Sequence, residues 1–378
     1  MSATAEPIPI YTGTDFYIPS FEVTLGNRRQ SGAILRDVVQ VTYKDSLDQI
    51  DSFELTVNNW DAEERKFKYH DRSLFDPGQS LEVAFGYLGA AGGGMRTMIR
   101  GEITEMRPAF PAGGLPTLTV CGQNVLRRFK SEQKSERYER LTYTQIVAKV
   151  CARLRVTPVA VPALPNEIQH ESISQENEFD AMFLLRLARL AGYELLVTEL
   201  KGEAALVFGP PNPGARPTYK LHYGRTLTEF QPTLSFAHQV EEVVVRGWDP
   251  VKGEEIDVTV GGGALKGKIK EGAQNPAKGR KEVIGHQPVR DIQAARDLAK
   301  ATLARIQNEA VKATGSVVGL PDLRTGCQIH VAGVGLRFNG RYFITGTTHT
   351  IGMSGYTTQF ECRLEELSHR FDGESLTK

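Results

Sequence analysis

Eight histidines, four cysteines and a few adjacent glutamate pairs are the residues from which a reactive centre would have to be assembled. A zinc protease needs two histidines one helical turn apart with a glutamate between them. An α/β-hydrolase needs its serine on a sharp strand-to-helix turn, and a nucleotide site needs a glycine loop opening a helix. The motifs H-E-x-x-H, G-x-S-x-G and G-x-x-x-x-G-K-[ST] are all missing from the sequence. Gly333-x-Gly335 is followed by Phe338 where a dinucleotide fingerprint requires its third glycine, and it lies in a hairpin pattern. His330 and His349 fall on strands of one terminal sheet; a close approach would make them a metal or acid–base pair, and ordinary strand histidines are the expectation. Glu241-Glu242, Glu254-Glu255 and Glu365-Glu366 invite a glycosidase reading, but neighbours on a strand point to opposite faces and cannot flank one bond. They read as solvated edge charges. Cys121, Cys151, Cys327 and Cys362 are far apart and form no C-x-x-C pair, which argues for reduced, mostly buried thiols. The expectation is no catalytic, metal-ligating or cofactor-binding residue, no cofactor, and a protein that is not an enzyme.

Two other features could carry binding. The segment from Gly261 to Lys281 concentrates Lys266, Lys268, Lys270, Lys278, Arg280 and Lys281 against Glu271. It reads as an exposed loop, with these six residues as candidates for contact with an acidic surface of a partner. Nucleic acid is not expected, because the segment has no aromatic residue to stack a base and the whole chain balances 45 Lys plus Arg against 45 Asp plus Glu. Trp248 is expected to cap a core at a strand end. The N-terminus lacks a basic region followed by an apolar one, and no stretch approaches 18 apolar residues, so synthesis in the cytoplasm without membrane embedding is expected.

The elements that must position these residues are mostly strands. With 378 residues, 37 of them glycine and 19 proline, the chain has room for two or three domains rich in turns. Alternating runs at Ser20–Leu25, Val38–Tyr43, Ser52–Val57, Ser80–Tyr87, Met98–Arg107 and Leu115–Cys121 predict an antiparallel barrel or sandwich. The period then changes. Helical spacing over Leu141–Leu154, and again from Phe179 to Leu190, predicts two helices, the second capped by Asn177 or Ser174 and ended by Gly192. A hairpin follows between Tyr193 and Phe208. Strands resume at Leu227–Leu234 and Val240–Trp248, a long helix is predicted over Val289–Lys312, and strands return from Gly315 to Leu367. The fold expected is mainly β with an α+β insertion. Its parts are a first β-barrel domain (1–130), an inserted α/β domain (131–225) and a second β-barrel domain with one long helix (226–378).

The two β-rich regions echo each other. Phe75-x-x-Gly78-x-x-Leu81-x-Val83 precedes Ile103-Thr104 and a strand ending near Cys121. Leu323-x-x-Gly326-x-x-Ile329-x-Val331 precedes Ile344-Thr345 and a strand ending near Cys362. Gly78 and Gly326 are then structural turn glycines that need positive φ. Two related barrels per chain would let three chains present six similar faces around a threefold axis.

With these patterns in place, NEFDAMFLLRLARLAGYELLVTELKGEAALVF from Asn177, VEEVVVRGWDP from Val240 and LRTGCQIHVAGVGLRFNGRYFITGTTHTIGMSGYTTQFECR from Leu323 resemble the late control D family of phage tail proteins. That family is similar to the N-terminal hub region of VgrG spike proteins of type VI secretion and to the baseplate hubs of contractile phages. The likeness runs in order from about residue 20 to 365. It implies a homotrimeric structural hub at the baseplate, a symmetry adaptor joining the sixfold tail tube to the threefold spike, made in a bacterial cytoplasm and built into a phage tail or injection particle. The partners implied are the tail tube protein, other baseplate components and a separate spike protein with an OB-fold, since the resemblance to VgrG stops at Lys378. The alternatives are a tail-associated cell-wall hydrolase and a monomeric β-rich receptor- or glycan-binding module.

Overall fold

The computed structural model describes residues 8–9, 18–26, 28–30, 32–88, 95–160, 167, 169–200, 203–210, 218–249, 252–261, 277–285, 289 and 292–367. Twelve strands carry the architecture. Six belong to a first unit: β1 (Ile18–Leu25), β2 (Val38–Ser46), β3 (Ser52–Asn58), β4 (Ser80–Leu88), β5 (Arg96–Ala109) and β6 (Thr117–Asn124). Six belong to a second: β7 (Thr218–His222), β8 (Leu227–Leu234), β9 (Val311–Val318), β10 (Gln328–Ala332), β11 (Gly340–Gly352) and β12 (Gly355–Leu367). In the first unit the strands hydrogen-bond in the order β2-β3-β6-β5-β4-β1, and in the second in the order β8-β9-β12-β11-β10-β7. The order is the same with six added to each number.

Strict alternation makes each unit a barrel. Along β6, Leu118, Val120 and Asn124 are buried while Thr117, Thr119, Cys121 and Gln123 are half-exposed. All six strands of the first unit send side chains into one core, including Val23, Val41, Phe53, Val83, Ile99 and Val120. The second core holds Leu221, Leu227, Val317, Ile329, Tyr342 and Phe360. Burying such side chains fully stabilises by about 1.5–3 kcal/mol each.

The repeat extends to its irregularities. Thr104 is an unpaired bulge residue in β5 and Thr345 the corresponding one in β11; Val39 in β2 is matched by Thr228 in β8. The turn glycines sit at φ +91° for Gly78 and +85° for Gly326. Gly78 N donates to Ile103 O at 2.8 Å and Ile103 N to Gln79 O at 2.9 Å; Gly326 N donates to Ile344 O at 3.0 Å and Ile344 N to Cys327 O at 2.9 Å. One detail of the echo changes. The connection from β5 to β6 is one residue longer than that from β11 to β12, since Glu105 pairs with Cys121 but Gly346 with Glu361; this places Gly122, not Cys121, in the position of Cys362, so Cys121 faces outward while Cys362 is buried. The repeat also differs at its last strand, since β1 runs antiparallel to β4 whereas β7 runs parallel to β10.

Two smaller units have cores of their own. The first holds α1 (Tyr143–Leu154), α2 (Asp180–Ala191) and strands that include Glu194–Leu200 and Glu203–Gly209, around Ile146, Val150, Phe183, Leu187 and Phe208. A reciprocal pair starts α1: Thr142 Oγ1 accepts from Gln145 N at 3.2 Å and Gln145 Oε1 from Thr142 N at 3.0 Å. Helix α2 departs from expectation. Ser174 and Asn177 lie within the strand His170–Phe179, and Phe179 precedes the helix without a side-chain cap. Asp180 stands in the first turn instead, where a carboxylate meets the positive end of the helix, and Arg153 and Gln175 hold it at 2.7 and 2.9 Å. Gly192 ends the helix at φ +68° as expected.

The second small unit lies between β8 and β9. It packs α3 (Ile292–Asn308), shorter than the predicted Val289–Lys312, on strands Glu242–Asp249, Glu254–Gly261 and Lys281–Ile284. Ala295, Ala299, Leu303 and Ile306 are buried against that sheet, while Ile292 is 52% exposed. The long helix thus serves its own layer and not the barrel. Trp248 does not cap a core; it projects from the opposite face of the sheet and is 58% exposed.

Replacing Gly78 or Gly326 by valine forces a β-branched residue into left-handed backbone. Each change is expected to cost about 1–3 kcal/mol in denaturant unfolding, with unchanged unfolding of both variants the contrary result.

Candidate functional site, the seam between the barrels

The two barrels share one continuous sheet. Strand β11 outruns β10, which pairs only with its first residues, and the exposed edge beyond takes β2 of the first barrel. Seven residue pairs run antiparallel from Gly346–Ser46 to Gly352–Gln40. The hairpin end of β11 and β12 then closes the first barrel: Ile351 and Tyr356 enter its core, and Tyr356 lies edge-on to Phe85 with centroids 5.5 Å apart. Tyr87 fastens the contact by donating to Gly319 O at 2.6 Å.

Under this seam lies a buried polar network. Asp45 on β2 receives Arg324 Nε at 2.8 Å and Thr325 N at 3.2 Å on one oxygen, and the Thr347 hydroxyl on the other. Arg324 also donates to the Tyr43 hydroxyl and to Met98 O at 3.1 Å, and its guanidinium lies 4.5 Å from the Tyr43 ring centroid. His349 is fully buried. Its Nε2 lies 3.0 Å from Leu323 O, which can only accept, so Nε2 carries the proton and Nδ1 accepts from Tyr356 at 2.9 Å and Thr358 at 3.1 Å. Thr358 in turn accepts from Leu320 N at 2.9 Å. The turn Leu320–Gly326 of the second barrel is thereby fixed against the first.

The charges follow from this burial. Desolvation, the largest single effect, would raise the Asp45 carboxyl, but the Arg324 charge together with the hydrogen bonds from Thr347 and Arg324 holds it below the usual value. Burial drives His349 down to about 3, a neutral imidazole. Half-buried Asp51, at the end of the β2–β3 turn, is pushed up to about 7 by burial and then by Asp45, against Arg324 and a 2.8 Å bond from Asn124.

The residues singled out in the sequence do not converge on a reactive site. His330 faces Lys220 and Arg341 across strands, and His349 lies eight residues beyond Arg341, roughly 25 Å along β11. Glu241 accepts from Gly279 N at 2.6 Å and Glu242 pairs with Lys281 at 2.7 Å; Glu365 pairs with Arg363 at 3.3 Å and Glu366 with Arg341 at 2.7 Å. Among the described residues no group of three His, Cys, Asp or Glu side chains is arranged for a metal ion. Of the basic candidates, Lys266, Lys268 and Lys270 lie outside the described residues. Lys278 is exposed; Arg280 donates to Phe236 O and Ala237 O at 3.1 and 3.3 Å, and Lys281 is held by Glu242. An open cleft of about 2420 Å³ lies where α2, α3 and the second barrel meet. Its opposite charges include pairs such as Arg186–Glu178 at 2.9 Å and Arg363–Glu194 at 3.7 Å. The seam itself escaped sequence reasoning, because Asp45 and Arg324 are 279 residues apart and neither belongs to a motif.

This paired-barrel body, with its small α/β units, is a known construction. The model of one family, described as the Alg8 N-terminal domain, matches residues 21–352. The chain belongs to that family. The matching model is therefore not the late control D family that the sequence resembles, although the structural neighbours are the tail proteins such a resemblance implies. No curated protein matches the sequence. Among solved structures, the 43 kDa tail protein of prophage MuSo2 from Shewanella oneidensis is similar with a TM-score of 0.68 at 16% identity, over 91% of this chain and 98% of that one. A tail protein from Neisseria meningitidis gives 0.68 at 15% identity over 92% and 97%. The E. coli c3393 protein, a type VI secretion component with structural similarity to the bacteriophage T4 tail proteins gp27 and gp5, gives 0.59 at 15% identity over 92% and 78%. At these identities the likeness establishes the fold, mainly β with two related barrels.

The buried pair makes a sharp mutational test. Arg324→Met leaves Asp45 buried without its cation and is expected to cost about 3–5 kcal/mol of unfolding free energy, whereas Arg324→Met with Asp45→Leu recovers most of it. Equal losses in the two proteins would remove the pair from its central place.

Opposite pH dependences are expected of Asp51 and His349. Folded Asp51 holds its proton between its unfolded value of 3.8 and about 7, so its contribution is complete on the acid side and lost as pH rises through 7. Unfolded His349 takes a proton at 6.5 that the folded form refuses until about 3, so its contribution is lost as pH falls below 6.5. Relative to the parent, Asp51→Asn should gain about 2–3 kcal/mol between pH 4.5 and 8, and His349→Gln should gain a similar amount between pH 6.5 and 4.5. Urea unfolding across that range reads both, and parallel profiles would contradict the assignment.

Proposed function

We propose that the chain is a structural hub of a contractile tail or injection machine, a non-enzymatic adaptor between the sixfold tail tube and a threefold spike at the baseplate. The observation that carries this reading is the repeated barrel with its matched bulges. One chain offers two nearly equivalent faces, so three chains around an axis offer six to a sixfold partner while remaining threefold to another. The tail and secretion proteins that share the fold support the same role.

The domains read as a first barrel over 1–130, an inserted α/β unit from 131 and a second barrel that runs to 378 and begins with β7 at Thr218, a few residues before the 226 expected from sequence, with α3 and its sheet inserted into the last. The outer face of the shared sheet is polar across both barrels, with Gln40, Thr56, Thr348, Thr350, Gln359 and Ser316 pointing away from the cores. In a closed ring this face suits the wall of a water-filled passage continuous with the tube. The partners are further copies of the chain, the tube protein, other baseplate components and a separate OB-fold spike, within a phage tail or injection particle assembled in a bacterium.

Absolute mass in solution tests the reading. A trimer, or a monomer that becomes a three-plus-three complex when the OB-fold spike protein is added, is the expected result. A monomer indifferent to that protein would overturn it.

A further inference from the structure

The internal repeat specifies a contact that the single chain cannot make. Within the chain, β2 pairs with the part of β11 that runs past β10. By the repeat, β8 corresponds to β2 and β5 to β11. Residues Glu105–Ala109 of β5 run past β4 just as Gly346–Thr350 run past β10, and among the described residues they pair with β6 on one side alone. Strand β8 pairs with β9, and beyond one isolated bridge at Leu227 its other edge takes no strand among the described residues. One barrel therefore ends in an open β5 edge and the other in an open β8 edge, and these are the counterparts of the two edges already joined in the seam.

We propose that β8 of one copy pairs antiparallel with residues 105–111 of a second copy, head to tail, in the register of the internal seam. The matched bulges fix that register. Thr42 pairs with Thr350, so Gln231 meets Ala109; Val41 pairs with Ile351, so Phe230 meets Phe110; Asp45 pairs with Thr347, so Leu234 meets Met106. The number of chains in the ring rests on the hub reading; the edges and their register do not.

The side chains at the two edges fit this occupant. Phe110 is 58% exposed and Phe230, Leu234 and Met106 are half-buried at the rims of their cores. Where the internal seam covers the Asp45 network, this contact presents apolar residues on both sides. The residue in the Arg324 position of the repeated turn is Asp76, which is exposed. Pro108 and Pro232 fall opposite each other, where His349 and Tyr43 meet in the internal seam. Neither can donate a ladder bond, so both edges resist pairing with arbitrary strands and depend on side-chain fit with the correct one. Because the two patches differ, the contact is heterologous and repeats until the ring closes.

Disulfide trapping tests the register. In a Cys121→Ser background and with the spike protein present, Ala109→Cys with Gln231→Cys is expected to give covalent dimers and trimers on mild oxidation. Each single variant, and the displaced pair Ala109→Cys with Thr233→Cys, should stay monomeric on a denaturing gel. Cross-linking by a single variant would mean a twofold contact and overturn the proposal. A trimeric mass without in-register cross-links would overturn it while leaving the hub reading intact; a persistent monomer would sink both. Phe110→Glu supplies an independent reading. It should abolish the assembly while the monomer still unfolds cooperatively, its midpoint lowered only by the lost edge-on ring contacts with Phe67 and His70, and an intact assembly would count against the proposed edge.

Discussion

Everything in the two-barrel body depends on how β2 is held against β11, and the Arg324–Asp45 contact is what makes that register unique. Main-chain pairing alone would tolerate a slip, because two β-edges can be laddered in more than one alignment. A one-residue slip would turn Lys44 inward and Asp45 outward, leaving Arg324 buried without an anion. The cost of an unpaired buried charge exceeds what the pair itself contributes over apolar residues of similar size. Its service is specificity: it penalises the wrong alignment more than it rewards the right one. His349 extends that service, since its two ring nitrogens join Leu323 O on the turn to Tyr356 and Thr358 on β12.

The repeat explains how one design yields two kinds of edge. In the first barrel the turn that follows buried Phe75 exposes Asp76, Pro77 and Gly78; in the second the turn Leu323–Gly326 lies in the seam and carries Arg324-Thr325. The backbone bonds made by the two glycines are alike, so divergence lies in the side chains between them. A polar network suits the internal seam because its members fold together and are never exposed to one another's absence. An edge that stays open until a partner arrives cannot keep a buried charge waiting, and apolar side chains with a proline are the cheaper provision.

Much of this was legible because barrel strands alternate. Each strand expected before residue 130 is present within a few residues, as are the helices near 143 and 180 and the turn glycines' place in the pattern. Local misjudgements have local causes. Asn177 looked like a cap but lies in a strand at φ +47°, with its N–H taken by Ser135. Trp248 looked like a core residue because its strand is apolar, yet it falls on the face turned away from α3. Cys121 and Cys362 looked equivalent because each follows its isoleucine by the same number of residues, but the hairpin between β5 and β6 is one residue longer than that between β11 and β12, and a turn's length leaves no mark in an apolar pattern. The seam was invisible for a different reason: nothing near Asp45 announces a cation nearly 280 residues later.

The two α/β units show what the barrels leave free. One connects β6 to β7 and the other β8 to β9, and neither lies in the ladder that joins β2 to β11. Each has its own core, so its packing can change without disturbing the seam network. They are still not independent, because α2 and α3 touch where Gly192 ends the former. A Cβ at Gly192 would lie 3.5 Å from that of Ala301, an ordinary contact, so the demand for glycine there comes from its left-handed backbone and not from crowding. The units can thus rest on each other through small side chains while the rigid element of the molecule remains the shared sheet. That division leaves the α/β units outside the ladder of a body whose internal register is set by charge.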